Sequence, residues 1–583
     1  MEQKSGGLNI KDTGRMLIWC LRFAFRASGM ATFLRMSFQL LAPAASLTIS
    51  LIARRIINLL SGGGEEAYDT LMLMMVLLLL TEIVLTVAER TDRHVRTVHE
   101  ERIDKQASDM LMRKALECDL SEYDNPDFYD AMVLAERNTY AIHQMIWDTV
   151  RVFGAVYSFL LTFILLAGAR LYYGFLLVLS VFPAAVVSVF YTRRVYALQL
   201  RQTTDSRKAT YSRQVSFDRT YAQQIRIFAL GKMLREKYSA LWNRMFVERK
   251  RLSARFTLAG CVTECLPEIV SVVIGFDVSL SVLRGDATVG DYTFYIGLLA
   301  QSGVALQTLI GTVSSIYDNR LRLECVMKLE TLAPQVRDCG TETLEQIQSI
   351  TFRDVSFAYP GSDTDTLSHI SFHIDAPEKV CITGHNGSGK STLIKLLLRL
   401  YDPTGGEILI NNRDIRIYRL SSLREMFSVY LQEMRCFMYS IRDNFLMVDP
   451  DRPDAEEMMF ETLERTGCND IMNMAANDLE ICLSKMFDRR GLELSAGQYQ
   501  KLSVARAFFR RFTVFIMDEP SSNLDRETEQ RVFETVNQYA DDRIVLCVSH
   551  RPETFRGVTR ILNLNGGCLT ESVRRQGGCD ERT

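Results

Sequence analysis

Long apolar segments in the first half of the chain constrain its fold most. A helix needs about 20 apolar residues to cross the ~30 Å hydrocarbon core of a bilayer. Six segments of the 583-residue chain meet this requirement with few or no charges, namely residues 36–53, 68–88, two halves of 152–192, 256–283 and 292–317. The sequence therefore predicts six transmembrane helices, and an even number places both termini on one side of the membrane.

Basic residues indicate which side that is, because Lys and Arg favour cytoplasmic loops. The connections between spans two and three and between spans four and five are long and rich in Arg and Lys. We therefore expect a multi-pass protein of the cell (plasma) membrane, with both termini and both long connections in the cytoplasm. These connections should extend the membrane helices past the bilayer and contain a short helix at each break.

The segment before the first span is amphipathic. Arg15, Arg22 and Arg26 share one helical face and apolar residues occupy the rest, which is typical of a helix lying in the membrane interface. An amphipathic helix packed on protein would show the same pattern.

Composition excludes two other classes of protein. The net charge of −2 provides no bulk attraction to nucleic acid. The 13 cysteines have no regular spacing and several lie in apolar runs, which favours free thiols over a disulfide framework or a zinc ribbon.

A soluble α/β domain is predicted beyond residue 332, where short β-rich runs alternate with helices and turns. Within it, GHNGSGKS at 384–391 follows an apolar strand at 380–383 and precedes a helix, as a phosphate-binding loop requires. The glycines let backbone amides surround phosphate groups, Lys390 supplies a cation, and the Ser391 hydroxyl can ligate Mg²⁺.

Two acidic residues follow a second apolar strand, at 513–517. At the carboxyl end of this strand, Asp518 would hold Mg²⁺ through water and Glu519 would polarise the attacking water. Together with the phosphate loop they indicate hydrolysis of a bound nucleotide.

Five further sequence matches complete the set. LSAGQ at 494–498 precedes the strand of Asp518 by one helix. The other four matches are Tyr359 in VSFAYP, Gln432 in VYLQE, SSNLD with residues 522–525, and His550 in VSHR. The chain thereby resembles the ATP-binding cassette (ABC) family along nearly all of its length, as an exporter half-transporter similar to peptide, lantibiotic or multidrug exporters. The resemblance implies an adenine-stacking aromatic, a glutamine loop, a D-loop and a switch histidine at the last four positions.

The resemblance also implies the fold class, a multi-domain membrane protein with a six-helix α transmembrane domain followed by an α/β P-loop cassette. The expected segments are a tail and interfacial elbow helix at 1–29, the transmembrane domain at 30–332, a linker at 333–344, the cassette at 345–572 and a tail at 573–583.

In this family ATP is held between two cassettes arranged head to tail, so a second half-transporter, identical or different, is implied as the partner. ATP would contact Tyr359, Gly384, His385, Asn386, Gly387, Ser388, Gly389, Lys390, Ser391 and Thr392 of one chain and Ser495, Ala496, Gly497 and Gln498 of the other. The resemblance assigns Mg²⁺ to Ser391, Gln432 and Asp518, and catalysis to Glu519, His550 and Gln432.

This sequence departs from the family pattern at two positions. Ala496 replaces a glycine that is usual in the signature, which puts packing near the phosphate in doubt, and Thr559 stands where an acid is common. Neither departure removes a catalytic role. The resemblance also identifies residues 121–137 and 221–238 as the two coupling helices that carry cassette motion to the membrane.

Acidic residues in span five bear on the cargo. Cys261, Glu264, Cys265 and Glu268 lie on one helical face, and Glu82 could lie at similar depth in span two. Because a carboxylate in hydrocarbon costs ~2.5 kcal/mol or more, these acids should face a cavity that prefers cationic or amphipathic cargo. The alternatives are pairing with basic residues, a position in the cytoplasmic helix extension, or a soft-metal site.

The sequence therefore predicts an ATP-driven exporter of an amphipathic or cationic small molecule or peptide. An ATP-gated channel or regulator, and an exporter-fold importer of siderophore-like cargo, remain alternatives. A soluble cassette protein acting on nucleic acid is excluded by the membrane spans.

Overall fold

The structure is a computed structural model and describes residues 10–62, 67–124, 126–331, 336, 338–431, 434, 436–519, 526–539, 541–549, 557–575 and 578–582. The chain forms two compact units. One comprises Met1–Leu116 with Asp130–Leu332, and the other comprises Glu117–Tyr129 with Ala333–Thr583.

The described residues up to Thr331 are mainly α-helical. The helices are α1 (Ile10–Gly62), α2 (Ala67–Glu117), α3 (Leu120–Tyr123), α4 (Pro126–Arg137), α5 (Tyr140–Ala169), α6 (Leu171–Arg201), α7 (Thr203–Phe217), α8 (Arg219–Ile227), α9 (Gly231–Leu283) and α10 (Val289–Thr331). Within the described ranges, six helices are long and apolar enough to cross a membrane: α1, α2, α5, α6, α9 and α10. The prediction of six spans is confirmed, and several of these helices extend well beyond the length that a bilayer requires.

The helical path is interrupted at two places. α1 is interrupted at Ser28, whose backbone is extended (φ −168°, ψ 99°). The short helix α8 begins where the Asp218 side chain accepts a hydrogen bond from Thr220 N (2.8 Å), so an N-cap starts it. The second segment identified as a coupling helix thus comprises α8 and the first turns of α9.

One hydrophobic cluster of the first unit lies where α1, α2, α5 and α10 meet. The apolar face of the first segment of α1 packs there, through Met16, Cys20, Phe23 and Ala24. Asp148 of α5 is 1% exposed and accepts hydrogen bonds from the Ser315 hydroxyl (2.5 Å) and the Asn319 amide (3.0 Å) of α10. A buried carboxylate without hydrogen-bond partners would be costly. These hydrogen bonds therefore favour the packing of α5 against α10.

The second unit contains two sheets. Its strands are β1 (Ser349–Phe357), β2 (Leu367–Asp375), β3 (Lys379–Thr383), β4 (Gly405–Ile410), β5 (Arg413–Asp414), β6 (Phe427–Tyr430), β7 (Val514–Asp518), β8 (Ile544–Val548), β9 (Arg560–Asn565), β10 (Cys568–Arg575) and β11 (Gly578–Arg582). The antiparallel sheet has the order β2-β1-β4-β5, and the larger sheet has the order β11-β10-β9-β3-β8-β7-β6.

Parallel strands form the centre of the larger sheet, where β3 pairs with β8 and β9, and β7 pairs with β6 and β8. Every residue of β7 and β8 is buried, as expected for parallel strands covered on both faces. The helices of this unit are α11 (Lys390–Leu397), α12 (Leu420–Glu425), α13 (Ile441–Leu446), α14 (Ala455–Arg465), α15 (Asn469–Met474), α16 (Ala496–Phe509) and α17 (Arg526–Tyr539). The predicted α/β fold is confirmed, and the carboxyl ends of β3 and β7 lie at one sheet edge, where open α/β sheets bind ligands.

Candidate nucleotide site

The phosphate loop connects β3 to α11 through glycines that no other residue could replace without strain. Gly384 has φ +151°, and a Cβ there would lie 2.1 Å from the Leu564 carbonyl oxygen. Gly389 has φ +102°, and its Cβ would lie 2.6 Å from Leu367 Cδ2. The loop is therefore packed tightly against its neighbours on one side, whereas a Cβ on Gly387 would meet open space.

Polar groups of the loop point to a phosphate ligand. The Lys390 ammonium donates to the carbonyl oxygens of Gly384 and His385, both at 3.0 Å, and so lies over the loop. The Ser388 side chain is buried, yet its hydroxyl has no hydrogen-bond partner within the described chain. An orphaned buried hydroxyl beside a lysine at a helix N-terminus fits a phosphate oxygen, because that oxygen would satisfy it. The residues present thus fit a nucleoside triphosphate.

The acidic strand end lies beside this loop. The Ser391 hydroxyl donates to Asp518 Oδ2 (3.0 Å), which joins the first turn of α11 to the end of β7. Glu519 follows with φ +49°, an uncommon value for a residue other than glycine, and its amide donates to Val548 O (3.0 Å). The neighbouring strand β8 therefore holds the backbone that carries the Glu519 carboxylate. A hydroxyl and a carboxylate are oxygen donors of the kind that Mg²⁺ prefers.

Tyr359 lies beside the same helix. Its hydroxyl is within hydrogen-bond distance of Thr392 Oγ1 (3.0 Å), and its ring packs edge-on against Phe357 and Tyr401. Lys395 Nζ lies 5.5 Å from the ring centroid. The aromatic predicted to stack on adenine is thus placed next to the phosphate loop and partly exposed.

The LSAGQ segment forms the start of α16. The Ser495 hydroxyl accepts from Gln498 N (3.3 Å) and Gln498 Oε1 accepts from Ser495 N (2.9 Å), a reciprocal capping box. Ser495 and Ala496 are exposed and Gly497 is half-buried. The added methyl of Ala496 therefore does not crowd the interior of its own subunit. This helix end presents amide groups and a positive dipole to its surroundings.

Three of the predicted functional elements, Gln432, residues 522–525 and His550, lie outside the described residues. Thr559 is described, and its backbone amide and hydroxyl both donate to Lys379 O at 2.9 Å. The residue that departs from the family pattern therefore anchors the start of β9 to β3.

Sequence reasoning missed a contact of the segment that the resemblance identifies as the first coupling helix. Residues Glu117–Tyr129 belong to the second unit. Within that unit the Tyr401 hydroxyl donates to Asp124, and Asp119 accepts from Val336 N (2.9 Å). Burial and the hydrogen bond to Asp124 raise the pKa of Tyr401 above its usual value, so the phenol stays protonated as a donor throughout the physiological range. No local motif marks Tyr401 because its partner is 277 residues away.

The membrane helices border a second candidate site. A cavity of about 860 Å³ lies between α6, α9 and α10, and Cys261, Glu264 and Glu268 line it. Cys265 and Glu82 are exposed and are not among its lining residues. Within the part of the chain that the structure describes, no group of His, Cys, Asp and Glu side chains is arranged to hold a metal ion.

Comparisons with known proteins agree with this architecture. A family model of the ABC transporter transmembrane region matches residues 32–306, and one described as ABC transporter matches residues 367–522. The subtilin transport ATP-binding protein SpaT of Bacillus subtilis is 27% identical over 465 residues, which cover 78% of this chain and 75% of SpaT. An ATP-dependent lipid A-core flippase of Vibrio parahaemolyticus is 28% identical over 338 residues, so the match spans 58% of this chain and 57% of the flippase.

A solved structure has the same fold. A bacterial Atm1-family ABC exporter with ATP bound superposes with a TM-score of 0.75 at 21% sequence identity, covering 92% of this chain and 93% of the other. Two family matches, one in each half of the chain, accompany six membrane-spanning helices and a phosphate loop joined to an acidic strand end. The chain therefore belongs to the ABC transporters, as an exporter-type half-transporter that couples ATP hydrolysis to transport.

Proposed function

We propose that this chain, as one half of a dimer, exports an amphipathic or cationic small molecule or peptide across the cell membrane by alternating access. ATP bound between the cassettes would close them, and hydrolysis would release them. The observation that carries the proposal is the hydrogen bond from Ser391 to Asp518 (3.0 Å), because it brings the phosphate loop and the acidic strand end into one site.

The roles at this site follow from the chemistry of its side chains. Lys390 would neutralise terminal phosphate oxygens, and Glu519 would orient and polarise the attacking water. Mg²⁺, held by Ser391, Asp518 and Gln432, would supply positive charge to the phosphate oxygens when bound. His550 and Gln432 are expected at the same phosphate from the family pattern.

A second half-transporter is needed to complete the site. Ser495 and Ala496 are exposed at the N-terminus of α16, so their amide groups are available to a phosphate carried by another chain. Half-transporter architecture implies such a partner, and this proposal accepts either an identical chain or a related one. Both termini would lie in the cytoplasm, as the basic connections indicate.

The proposed cargo class rests on the names of the relatives and on the residues that line the cavity. A relative named for subtilin transport supports a peptide, and relatives named as lipid A-core flippases support an amphipathic molecule. The cavity between α6, α9 and α10 supplies carboxylates that suit a cationic group.

The first test is ATP hydrolysis by this chain alone in lipid nanodiscs. Glu519→Gln should lower hydrolysis by about 10²-fold or more, since general-base assistance contributes 10²–10⁴-fold, while ATP binding is retained. A panel of basic peptides, cationic amphiphiles and neutral amphiphiles should stimulate the wild-type chain selectively.

Transport separates an exporter from the alternatives. Inside-out vesicles should accumulate the stimulating compound against its gradient when ATP is added. Dissipation of a gradient would favour a channel, and movement in the opposite direction would favour an importer. Inactivity of a folded, ATP-binding chain would show that a homodimer is not the working unit.

A further inference from the structure

The charged residues that line the membrane cavity are all acidic. Glu264 and Glu268 line it from α9, and the other lining residues include no Lys, Arg or His. Both side chains are exposed, and in the described ranges neither carboxylate has an ion pair or hydrogen bond. Because a carboxylate within a membrane helix is costly when it has no partner, an unpaired pair facing a cavity favours a positively charged occupant.

The spacing of Glu264 and Glu268 indicates how many positive groups a ligand should carry and how far apart they should be. Positions four apart on a helix are neighbours, with Cβ atoms about 5–6 Å from each other. Two cationic groups separated by a short linker could each approach one carboxylate, whereas a single cationic group would leave one carboxylate unmatched. The site should therefore respond to the number of positive charges on its ligand.

The cavity also has an aromatic end. Tyr191 of α6 and Phe256 of α9 both line it, with ring centroids 5.2 Å apart. Phe256 precedes Glu264 by eight residues, which is about 12 Å along an α-helix at 1.5 Å per residue. Toward the other end, Leu177, Ile296 and Leu299 supply apolar lining. A volume of about 860 Å³ lies within the range of sites for drug-sized ligands.

From these observations we propose that this cavity binds an elongated amphipathic dication, with Glu264 and Glu268 each meeting one positive group and the Tyr191–Phe256 pair contacting its apolar or aromatic part. The assignment rests on the proposed export function and names its substrate class. Glu264 and Glu268 are specificity residues in this scheme, because they distinguish cargo by charge number.

The test uses three probes built on one phenylalkyl scaffold. One carries two quaternary ammonium groups joined by a three-carbon linker, one carries a single quaternary ammonium group, and one carries a hydroxyl instead. Because quaternary ammonium groups are permanently charged, the protonation state of the probes does not affect the comparison. Isothermal titration calorimetry on the full-length chain in nanodiscs without ATP measures Kd for each probe, and ATP hydrolysis is measured in parallel.

We expect the wild-type chain to bind the dication most tightly and the hydroxyl probe most weakly. Glu264→Gln and Glu268→Gln should each raise Kd for the dication about tenfold, the equivalent of ~1.4 kcal/mol, and should leave the hydroxyl probe nearly unchanged. The double variant should lose the ranking. Glu264→Asp and Glu268→Asp should keep it, which separates loss of charge from misfolding.

Asp286→Asn is the matched control. Asp286 is exposed between α9 and α10 and is not among the cavity-lining residues, so this variant removes one carboxylate of the same domain and should not alter the ranking. A double Gln variant that hydrolyses ATP and keeps the wild-type ranking would overturn the inference but not the exporter function. Equal binding of all three probes by the wild-type chain would also overturn it. Failure of the wild-type chain to transport any compound would contradict the proposed function instead.

Cys261 provides an independent readout of occupancy. This exposed thiol lines the cavity one turn from Glu264. Bound dication should slow the alkylation of Cys261 and should not change the alkylation rate of the exposed Cys339. Peptide-resolved mass spectrometry measures both rates. Burial raises the pKa of Cys468 to about 12, so this thiol should stay unlabelled in folded protein. Labelling of Cys261 at the same rate with and without saturating dication would place the ligand elsewhere.

Discussion

At the scale of single residues, the phosphate loop contains a buried polar group, the Ser388 hydroxyl, that is suited to bind a ligand. The Ser388 hydroxyl is buried without a partner in the described structure, whereas the buried Ser440 hydroxyl accepts from Asp443 N (3.0 Å) and caps α13. An unsatisfied buried hydroxyl costs about 1–3 kcal/mol. The nucleotide-free fold therefore carries a cost at Ser388 that a bound phosphate would remove.

Ser388→Ala should separate stability from ligand binding. We expect the unfolding free energy of the nucleotide-free cassette to stay the same or rise, and ATP affinity to fall roughly five- to tenfold, about 1 kcal/mol. Thermal unfolding with and without ATP measures both effects.

Ser440→Ala is the contrasting variant. It should lower nucleotide-free stability by about 1 kcal/mol through loss of the N-cap and leave the stabilisation by ATP unchanged. An undiminished ATP effect in Ser388→Ala would show that this hydroxyl does not contact the ligand.

At the scale of elements, we predict a mechanical role for the short helix α3. It lies in sequence between the membrane-length helix α2 and α4, yet its segment is grouped with the cassette. Tyr401 follows α11, the helix that begins at Lys390, and donates to Asp124 beside α3. A displacement of α11 on nucleotide binding would thus be transmitted through this hydrogen bond to the segment predicted to couple the cassette to the membrane.

Tyr401→Phe should weaken coupling more than catalysis. We expect ATP binding and basal hydrolysis to remain within about twofold, while stimulation of hydrolysis by cargo falls severalfold, because the variant removes one charge-assisted hydrogen bond outside the phosphate loop. Nanodisc ATPase assays with and without a stimulating cargo measure this.

Tyr418→Phe controls for loss of a buried phenol, since the Tyr418 hydroxyl donates to Ile410 O (3.3 Å) within the cassette sheets. Equal loss of stimulation in both variants would count against a specific role for Tyr401.

At the scale of the whole molecule, the two nucleotide-binding elements of one cassette are suited to different partners. Lys390 lies over the phosphate loop and donates to Gly384 O (3.0 Å), while Ser495 caps a separate helix whose first residues are exposed. In a head-to-tail dimer each ATP would touch the loop of one chain and the α16 helix end of the other. Hydrolysis would then depend on two chains, although each one carries a full set of motifs.

Mixed dimers test this arrangement. Lys390→Ala and Ser495→Arg chains should each be nearly inactive as homodimers. Co-reconstituted, they should recover hydrolysis up to about half of the wild-type rate, because one interfacial site then contains neither substitution. Recovery is measured against each variant alone at equal protein. No recovery would indicate sites formed within single chains or a strict need for two intact sites, and a disulfide-trapped mixed dimer would exclude failure to mix.

Local signals in the sequence were enough to determine the six spans, the α/β cassette and the phosphate loop beside an acidic strand end. Membrane crossing depends on segment length and apolarity, and phosphate binding depends on glycines, Lys390 and Ser391 within eight consecutive residues. Tertiary structure alone decided which polar residues the membrane helices enclose. Helical spacing puts Cys261, Glu264, Cys265 and Glu268 on one broad face, but α6 and α10 enclose only part of that face, so Cys265 lies outside the cavity. The hydrogen bond from Tyr401 to Asp124 likewise depends on a partner 277 residues away, which only the packed fold brings close.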